Sequence, residues 1–280
     1  MLGLALVSAG CGGADGVDAE SGTTIVAAFY PLTYAAERVG GGSTRVRNLT
    51  PPGVEPHDLE LSARDVRIIA DADLVLYLGQ GFQPALEDAL DSADAPAVDL
   101  LEDLELLAGQ AESEGRDPHV WLDPLRYAAI AERIAAELDR PDAASALNED
   151  LRALDGEFRD GLADCERREL VTSHAAFGYL AERYDLEQVA LSGLEPEAEP
   201  TPRELEQVVE EVREHDATTV FFETLVSPRL AETVAREVGA RTATLNPLEG
   251  LTPAEAERGA DYFSVMRANL VSLRKALECR

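Results

Sequence analysis

The sequence predicts an α/β protein of two lobes, each a mostly parallel sheet flanked by helices, joined by a single long interdomain helix. Short β-branched runs alternate with helical patterns in both halves of the chain, and this alternation is typical of parallel sheets. The 280 residues suffice for two lobes of ordinary domain size. With 45% hydrophobic and 28% charged residues, the composition is that of a globular protein.

Residues 1–22 are predicted to be an export signal followed by a tether. An apolar run of about ten residues is too short to span a bilayer as a mature helix, and it fits the core of a signal peptide. Ser8-Ala9-Gly10-Cys11 resembles a bacterial lipobox, which would place a lipid anchor on Cys11. The basic residues that usually precede such a run are missing. An ordinary disordered terminus is the alternative.

The first lobe is predicted to cover residues 23–141. Residues 24–30 form a buried strand, and Pro31 opens a helix at its favoured first-turn position. Ser62 and Asp65 have the capping-box spacing, which predicts a short helix that ends at Ala70. Pro124 begins a further helix. Three more strands are expected, at residues 45–50, 74–78 and 96–100.

Residues 142–165 are predicted to be the helix that links the lobes. Apolar residues at spacings of three and four predict a helix over residues 143–165, and Pro141-Asp142 is a good start signal. An ordinary amphipathic helix within one larger domain is the alternative. The second lobe, residues 166–280, has expected helices at residues 175–184 and 253–277 and strands at residues 169–173, 187–191, 218–222 and 241–245.

The acidic charge and the cysteines limit the partners and the compartment. A net charge of -30 makes nucleic acid an unsuitable partner, because phosphates would be repelled. This acidity fits either a high-salt habitat or a biased genome. With Cys11 assigned to the lipobox, Cys165 and Cys279 remain as a candidate disulfide in an oxidising compartment. Two buried free thiols are the alternative.

Three of the four histidines lie in short motifs beside carboxylates or hydroxyls. His57 ends the proline-rich stretch PPGVEPHD, His119 lies in DPHVWLDP, and His174 follows a predicted strand in TSHAAFGY. Three neutral imidazoles suit zinc, but they do not exclude manganese, cobalt or iron. Trp121 is interpreted as a core aromatic. His215, in REHD at a predicted helix end, is interpreted as a surface residue.

These motifs, with FFE ending at Glu223 and NPLEG starting at Asn246, resemble the zinc/manganese solute-binding proteins of ABC importers. The resemblance covers nearly all of the mature chain, in the same order. It implies one metal ion in an interlobe cleft, bound by His57 and His119 from the first lobe and His174 from the second. It also implies delivery to a membrane permease. His174 favours Zn²⁺, with Mn²⁺ as the second choice, because manganese relatives tend to carry a carboxylate there.

The fourth metal ligand is left open. Many relatives have an aspartate where this chain has Asn246, and an amide oxygen is a poorer zinc ligand than a carboxylate. The candidates are therefore Asn246, Glu249, Glu223 and water. Asp58, Asp123 and backbone carbonyls are candidate acceptors for the second imidazole nitrogens. The histidine-rich loop of some zinc-specific relatives is absent, since residues 106–116 hold no histidine.

Two other classes of function are open alternatives. A zinc hydrolase would need a general base beside a zinc-bound water, and Glu223 or Glu249 could serve. No His-Glu-x-x-His motif supports it. A surface adhesin with a metal site is also compatible with lipidation. We predict a monomeric, membrane-anchored extracytoplasmic lipoprotein that is not an enzyme and that passes its metal to an ABC permease subunit.

Overall fold

The computed structural model describes residues 22–109, 115–196, 201–214 and 217–280. In these residues, two four-stranded sheets are flanked by helices, and every strand pairing is parallel. The predicted α/β class with two parallel sheets is confirmed. The predicted lipobox at Cys11 and the predicted surface histidine His215 lie outside the described residues.

The first sheet has the strand order β2-β1-β3-β4. Its central strand β1 is buried at Ile25, Val26 and Ala27, as expected for a strand covered on both faces. Ser62 and Asp65 form the predicted capping box. One helix of this half, α3, was not predicted. The elements are β1 (Thr23–Ala27), α1 (Tyr30–Gly40), β2 (Thr44–Asn48), α2 (Ala63–Ala70), β3 (Leu74–Tyr77), α3 (Pro84–Ser92), β4 (Ala97–Asp99) and α4 (Pro124–Glu137).

The second sheet repeats this order as β6-β5-β7-β8. Two helices of this half, α7 and α8, were not predicted. The elements are α5 (Ser145–Leu162), β5 (Glu169–Thr172), α6 (Gly178–Arg183), β6 (Glu187–Ala190), α7 (Pro202–Glu214), β7 (Thr219–Phe222), α8 (Arg229–Val238), β8 (Arg241–Thr244), α9 (Pro253–Glu257) and α10 (Tyr262–Ala276). Over the described ranges, none of the helices has the length and apolarity that a membrane span requires.

Two predicted helices of the second half differ from the structure. The prediction of one closing helix over residues 253–277 was wrong, because the chain forms two helices there, α9 and α10, with a break between them. Gly259 adopts a left-handed φ of 70°, and the Asp261 side chain then caps α10 by accepting from the Ser264 amide. The helix predicted over residues 175–184 begins later, at Gly178.

Helix α5 lies between the two sheets in sequence, and α10 brings the end of the chain back to the first half. The Tyr262 ring stacks on Tyr127 of α4 with centroids 4.5 Å apart, and its hydroxyl donates to the Trp121 carbonyl at 2.7 Å. One hydrophobic cluster contains residues from both halves. The boundaries at residues 23–141, 142–165 and 166–280, with α5 as the single link, stay a prediction.

Cys165 and Cys279 form a disulfide across a sequence separation of 114 residues. Cys165 follows α5 and Cys279 follows α10, so the bond joins the ends of these two helices. Of the two alternatives, a disulfide or two buried free thiols, the structure has the disulfide.

The strand order places the candidate residues at the carboxyl edges of the sheets. In each half, the chain moves outward from the central strand in one direction and then in the other, so that β1 lies between β2 and β3, and β5 between β6 and β7. Ligands of such sheets bind beyond the carboxyl ends of the strands at this switch point. His57, His174 and Glu223 all lie in segments that follow strands.

Candidate metal centre

Four buried side chains converge between the two lobes: His57, His119, His174 and Glu249. Each offers one ligand atom, and these atoms lie within 4.8 Å of one another. Glu249 Oε1 is 3.2 Å from His119 Nε2, 3.3 Å from His174 Nε2 and 3.6 Å from His57 Nε2. His119 Nε2 and His174 Nε2 are 3.4 Å apart. Three imidazole nitrogens and one carboxylate oxygen therefore face a common point.

Four separations within this cluster, at 3.2–3.6 Å, are close to those between the ligands of a tetrahedral zinc ion. Zinc bonds of about 2.0–2.1 Å to nitrogen and oxygen place neighbouring ligand atoms about 3.3–3.4 Å apart. Both oxygens of Glu249 and both ring nitrogens of His57 are buried and lack hydrogen-bond partners in the described part of the chain. Buried polar atoms are normally satisfied. A bound cation would satisfy Glu249 Oε1 and His57 Nε2.

Gln83, the residue before α3, holds the His57 loop in place. The Gln83 Nε2 atom donates to the Pro56 carbonyl at 3.1 Å and to Thr50 Oγ1 at 3.2 Å. The Phe82 ring packs edge-on against the His57 imidazole, with centroids 4.5 Å apart. The loop is therefore anchored to the end of β2 and the start of α3, which limits the positions open to His57.

His119 is oriented by Asp117. The Asp117 Oδ1 atom accepts from the His119 backbone amide at 2.9 Å and lies 2.8 Å from His119 Nδ1. With Nδ1 bound in this way, Nε2 is left to face the centre. Two residues further on, Trp121 is fully buried as expected, and its Nε1 also donates to the Pro247 carbonyl at 2.7 Å. The tryptophan thus connects the His119 motif to the loop that carries Glu249.

His174 is oriented by Glu223. Glu223 Oε1 lies 2.6 Å from His174 Nδ1, and the Ser173 hydroxyl donates to the same oxygen. The two residues follow β5 and β7, which are neighbours in the sheet. Glu223 therefore lies behind His174 and is not among the four converging side chains.

The Glu249 loop is shaped by Asn246. The side-chain Oδ1 atom of Asn246 accepts from the Leu248 backbone amide at 2.8 Å, and the Asn246 backbone amide donates to Asn269 Oδ1 at 2.9 Å. Leu248, fully buried, has a left-handed φ of 59°, which is costly for a leucine. The structure places the Glu249 carboxylate at the centre, while the Asn246 amide is used within the turn.

For His119 and His174, the candidate acceptors Asp58, Asp123 and backbone carbonyls were wrong. The acceptors of these two imidazoles are Asp117 and Glu223, whereas Asp58 is exposed and Asp123 caps α4 by accepting from the Leu125 amide at 2.8 Å. Sequence reasoning also missed the buried carboxylate of Glu55.

A repeated pattern marks both missed carboxylates. Glu55-Pro56-His57 and Asp117-Pro118-His119 share an acidic residue two positions before the histidine. In each case the carboxylate accepts from the histidine backbone amide, at 3.2 Å for Glu55 and 2.9 Å for Asp117. Burial and the nearby Glu249 carboxylate raise the pKa of Glu55 to about 10. Only Asp117 also contacts an imidazole.

The charges of the centre shift its pKa values. Burial alone would lower the pKa of His174, but the Glu223 and Glu249 carboxylates raise it well above the ordinary value. Burial alone would also lower the pKa of His119, but Asp117 and Glu249 outweigh this effect and raise the pKa above its ordinary value. Burial would raise the pKa of Glu249, yet the histidines hold it well below the ordinary value. These carboxylates therefore favour protonation of both imidazoles, and a metal ion would compete with those protons.

The loop that carries His57 contacts the loop that carries Glu249. The Gly53 amide, in the His57 loop, donates to the Leu251 carbonyl in the Glu249 loop at 2.9 Å. Gly53 has a φ of 85°, and a Cβ there would lie 3.0 Å from Pro253 Cδ. Glycine at this position permits the close approach of the two loops.

Two parallel α/β lobes with a buried cluster of three histidines and one carboxylate between their carboxyl edges define a two-lobed solute-binding protein with a metal-type site. The family described as ZnuA, zinc-uptake complex component A, periplasmic, matches residues 25–276. The chain belongs to this family, and the predicted family resemblance is confirmed.

Curated relatives carry zinc in their names. Zinc-binding lipoprotein AdcA of Streptococcus pneumoniae is 37% identical over 284 residues, which cover 93% of this chain and 57% of AdcA. High-affinity zinc uptake system protein ZnuA of Bacillus subtilis is 32% identical, over 90% of this chain and 87% of that protein. This chain thus spans little more than half the length of the AdcA relatives.

Solved structures of relatives have the same fold. The Zn(II)-bound ZnuA-like domain of S. pneumoniae AdcA is 36% identical with a TM-score of 0.79, and the match covers 92% of this chain and 100% of that domain. The laminin-binding protein Lmb of Streptococcus agalactiae is 30% identical with a TM-score of 0.82, over 91% of this chain and 100% of Lmb. Lmb is described as bifunctional, with adhesin and metal transporting activity.

Proposed function

We propose that this protein captures a zinc ion in the interlobe cleft and delivers it to the membrane permease of an ABC importer. The observation that carries the proposal is the convergence of three imidazole Nε2 atoms and one carboxylate oxygen at spacings suited to tetrahedral zinc. The proposed ligands are His57, His119, His174 and Glu249. Zinc in the names of family members supports the choice of metal.

The chemistry of the proposed ligands favours binding of zinc over binding of manganese. Manganese favours carboxylate, carbonyl and water oxygens, whereas imidazole suits zinc. This centre offers three imidazoles and a single carboxylate.

Capture and release follow from the position of the ligands on the two lobes. His57 and His119 lie in the first lobe, and His174 and Glu249 lie in the second. All four bind one ion only when the cleft is closed, as it is where Gly53 meets Leu251. Opening the cleft would divide the ligand set in two, which lowers the affinity and permits transfer to the permease.

Catalysis is not part of this proposal, because both candidate bases have other roles. A catalytic zinc site keeps one position open for water. Glu249 fills the fourth position, and Glu223 Oε1 is engaged by His174 and Ser173. These roles favour metal binding over catalysis.

The proposed location is extracytoplasmic, with a monomeric chain anchored through a lipid on Cys11. The disulfide between Cys165 and Cys279 supports an oxidising compartment. The lipobox pattern supports the anchor. Adhesion is described for the Lmb relative, and we do not extend it to this chain.

Complementation under zinc limitation tests the proposal. Cells that lack this gene but keep the permease would receive the wild-type chain, His174→Ala or His215→Ala, the last as a control on the fourth histidine. We expect the wild type and His215→Ala to restore zinc uptake, and His174→Ala to fail at equal protein levels. Equal uptake with His174→Ala would contradict the proposal.

A further inference from the structure

His57 differs from the other two histidines in the partner of its second nitrogen. Nδ1 of His119 and Nδ1 of His174 each meet a buried carboxylate from their own lobe, at 2.8 Å and 2.6 Å. His57 Nδ1 is buried and has no hydrogen-bond partner in the described part of the chain. The carboxylate that faces it is Glu195, whose Oε2 lies 3.6 Å away. Glu195 comes from the opposite lobe.

The backbone before Glu195 is fixed to the His174 segment. The Ala175 amide, next to His174, donates to the Gly193 carbonyl at 2.9 Å. Leu194 is buried and packs in a small cluster with Ala175. The Glu195 side chain itself is 61% exposed. The carboxylate is therefore attached to the second lobe and extends over a ligand of the first.

We propose that Glu195 is a positioning residue for His57 that acts across the closed cleft; this rests on the proposed zinc function. A metal ion on Nε2 makes the Nδ1–H of an imidazole a stronger donor, and a carboxylate acceptor then fixes the ring and raises its basicity. The present separation of 3.6 Å exceeds a charge-assisted hydrogen bond of about 2.7–2.9 Å. A movement of about 1 Å by an exposed side chain would complete the bond.

The position of Glu195 couples this bond to lobe closure. Asp117 and Glu223 stay with their histidines whether the cleft is open or closed, since each pair belongs to one lobe. Glu195 reaches His57 only when the lobes meet. Its loss should therefore weaken zinc retention by the closed form.

The test is zinc affinity of Glu195→Gln, measured by competition with a chromophoric chelator. Glu210→Gln, on α7 of the same lobe, is the matched control because it removes the same charge. Outer-shell partners of metal ligands are typically worth about 10–100-fold in affinity. Because Glu195 is exposed, we expect a loss of about ten-fold for Glu195→Gln and no change for Glu210→Gln.

A double-mutant cycle separates positioning from a general structural effect. In the His57→Ala background, Glu195→Gln should cause no further loss, because the imidazole through which it acts is gone. A loss of the same size in that background, or wild-type affinity of Glu195→Gln, would overturn the inference. If the wild-type chain held no zinc, the proposed function itself would fail, so the two failures are distinct.

Discussion

The Nε2 atoms of His119 and His174 face each other at 3.4 Å, although the two residues lie in opposite lobes. Their Nδ1 atoms are bound by Asp117 and Glu223, which leaves the Nε2 lone pairs facing a shared point in a buried site. Two such lone pairs repel unless a cation or a proton lies between them. In the proposed function, a single ion bound there would join the two halves of the chain, so that metal capture and cleft closure would be one event.

Glu249 is predicted to be the fourth ligand. Loss of an outer-shell partner typically lowers metal affinity by about 10–100-fold. Glu249→Ala should lower zinc affinity by more than this, because it removes a direct ligand. Asn246→Ala should cost less, since this amide holds the turn through Leu248. Competition titration of both variants measures the difference. A larger loss of zinc affinity in Asn246→Ala than in Glu249→Ala would show that the assignment of Glu249 as the fourth ligand is wrong.

Glu223 and Asp117 are predicted to act through the histidines that they orient. Glu223→Gln and Asp117→Asn keep the side-chain shape but remove the negative charge that strengthens each imidazole as a ligand. We expect each variant to bind zinc about 10–100-fold more weakly, with one zinc still bound per chain. Asp58→Asn is the control, because Asp58 is exposed. Complete loss of zinc in Glu223→Gln would instead indicate a direct ligand.

Zinc binding is predicted to release protons at neutral pH. The pKa of His174 is raised well above its ordinary value of 6.5, and that of His119 is raised too. A raised pKa keeps the proton on the imidazole to higher pH, so competition with zinc begins above pH 6.5 and zinc affinity falls as the pH is lowered. Calorimetry in buffers of different ionisation enthalpy counts the protons. An affinity independent of pH from 5 to about 8 would contradict this account.

The disulfide is predicted to stabilise the chain without contributing to the metal centre. It closes a loop with a sequence separation of 114 residues, and removal of such a bond typically costs about 2–4 kcal/mol. Urea unfolding of a Cys165→Ser, Cys279→Ser double variant, with metal chelated, should show this loss. Its zinc affinity should equal that of the wild type, since neither cysteine is among the four converging residues. Equal unfolding midpoints for the variant and the wild type would show that the bond adds no stability.

Much of the fold was predictable because its signals are local. Capping at Ser62, prolines at helix starts and β-branched runs each act over a few residues. The break between α9 and α10 was missed because Gly259 lies within an otherwise helical pattern and Asp261 starts a new helix only through its cap on Ser264. Helices α7 and α8 were not predicted, and α8 lacks a local start signal, because its N-cap Pro228 makes no side-chain capping hydrogen bond.

The site was predictable to the level of candidate residues and no further. Rare histidines in stiff motifs identified three of the four converging side chains. The choice among Asn246, Glu249 and Glu223 depended on the left-handed turn at Leu248 and on the pairing of β5 with β7, and neither can be read from local sequence. Asp117 was overlooked in favour of Asp123 although both lie in the same motif, because only folding shows which one reaches the imidazole.

Metal content with competitive zinc and manganese titration, run on the wild type and on His174→Ala, tests the central claim most directly. The account predicts one tightly bound zinc per wild-type chain, preference for zinc over manganese, and loss of tight binding in His174→Ala. A wild-type chain without a tight site, a preference for manganese, or undiminished zinc binding in His174→Ala would contradict it.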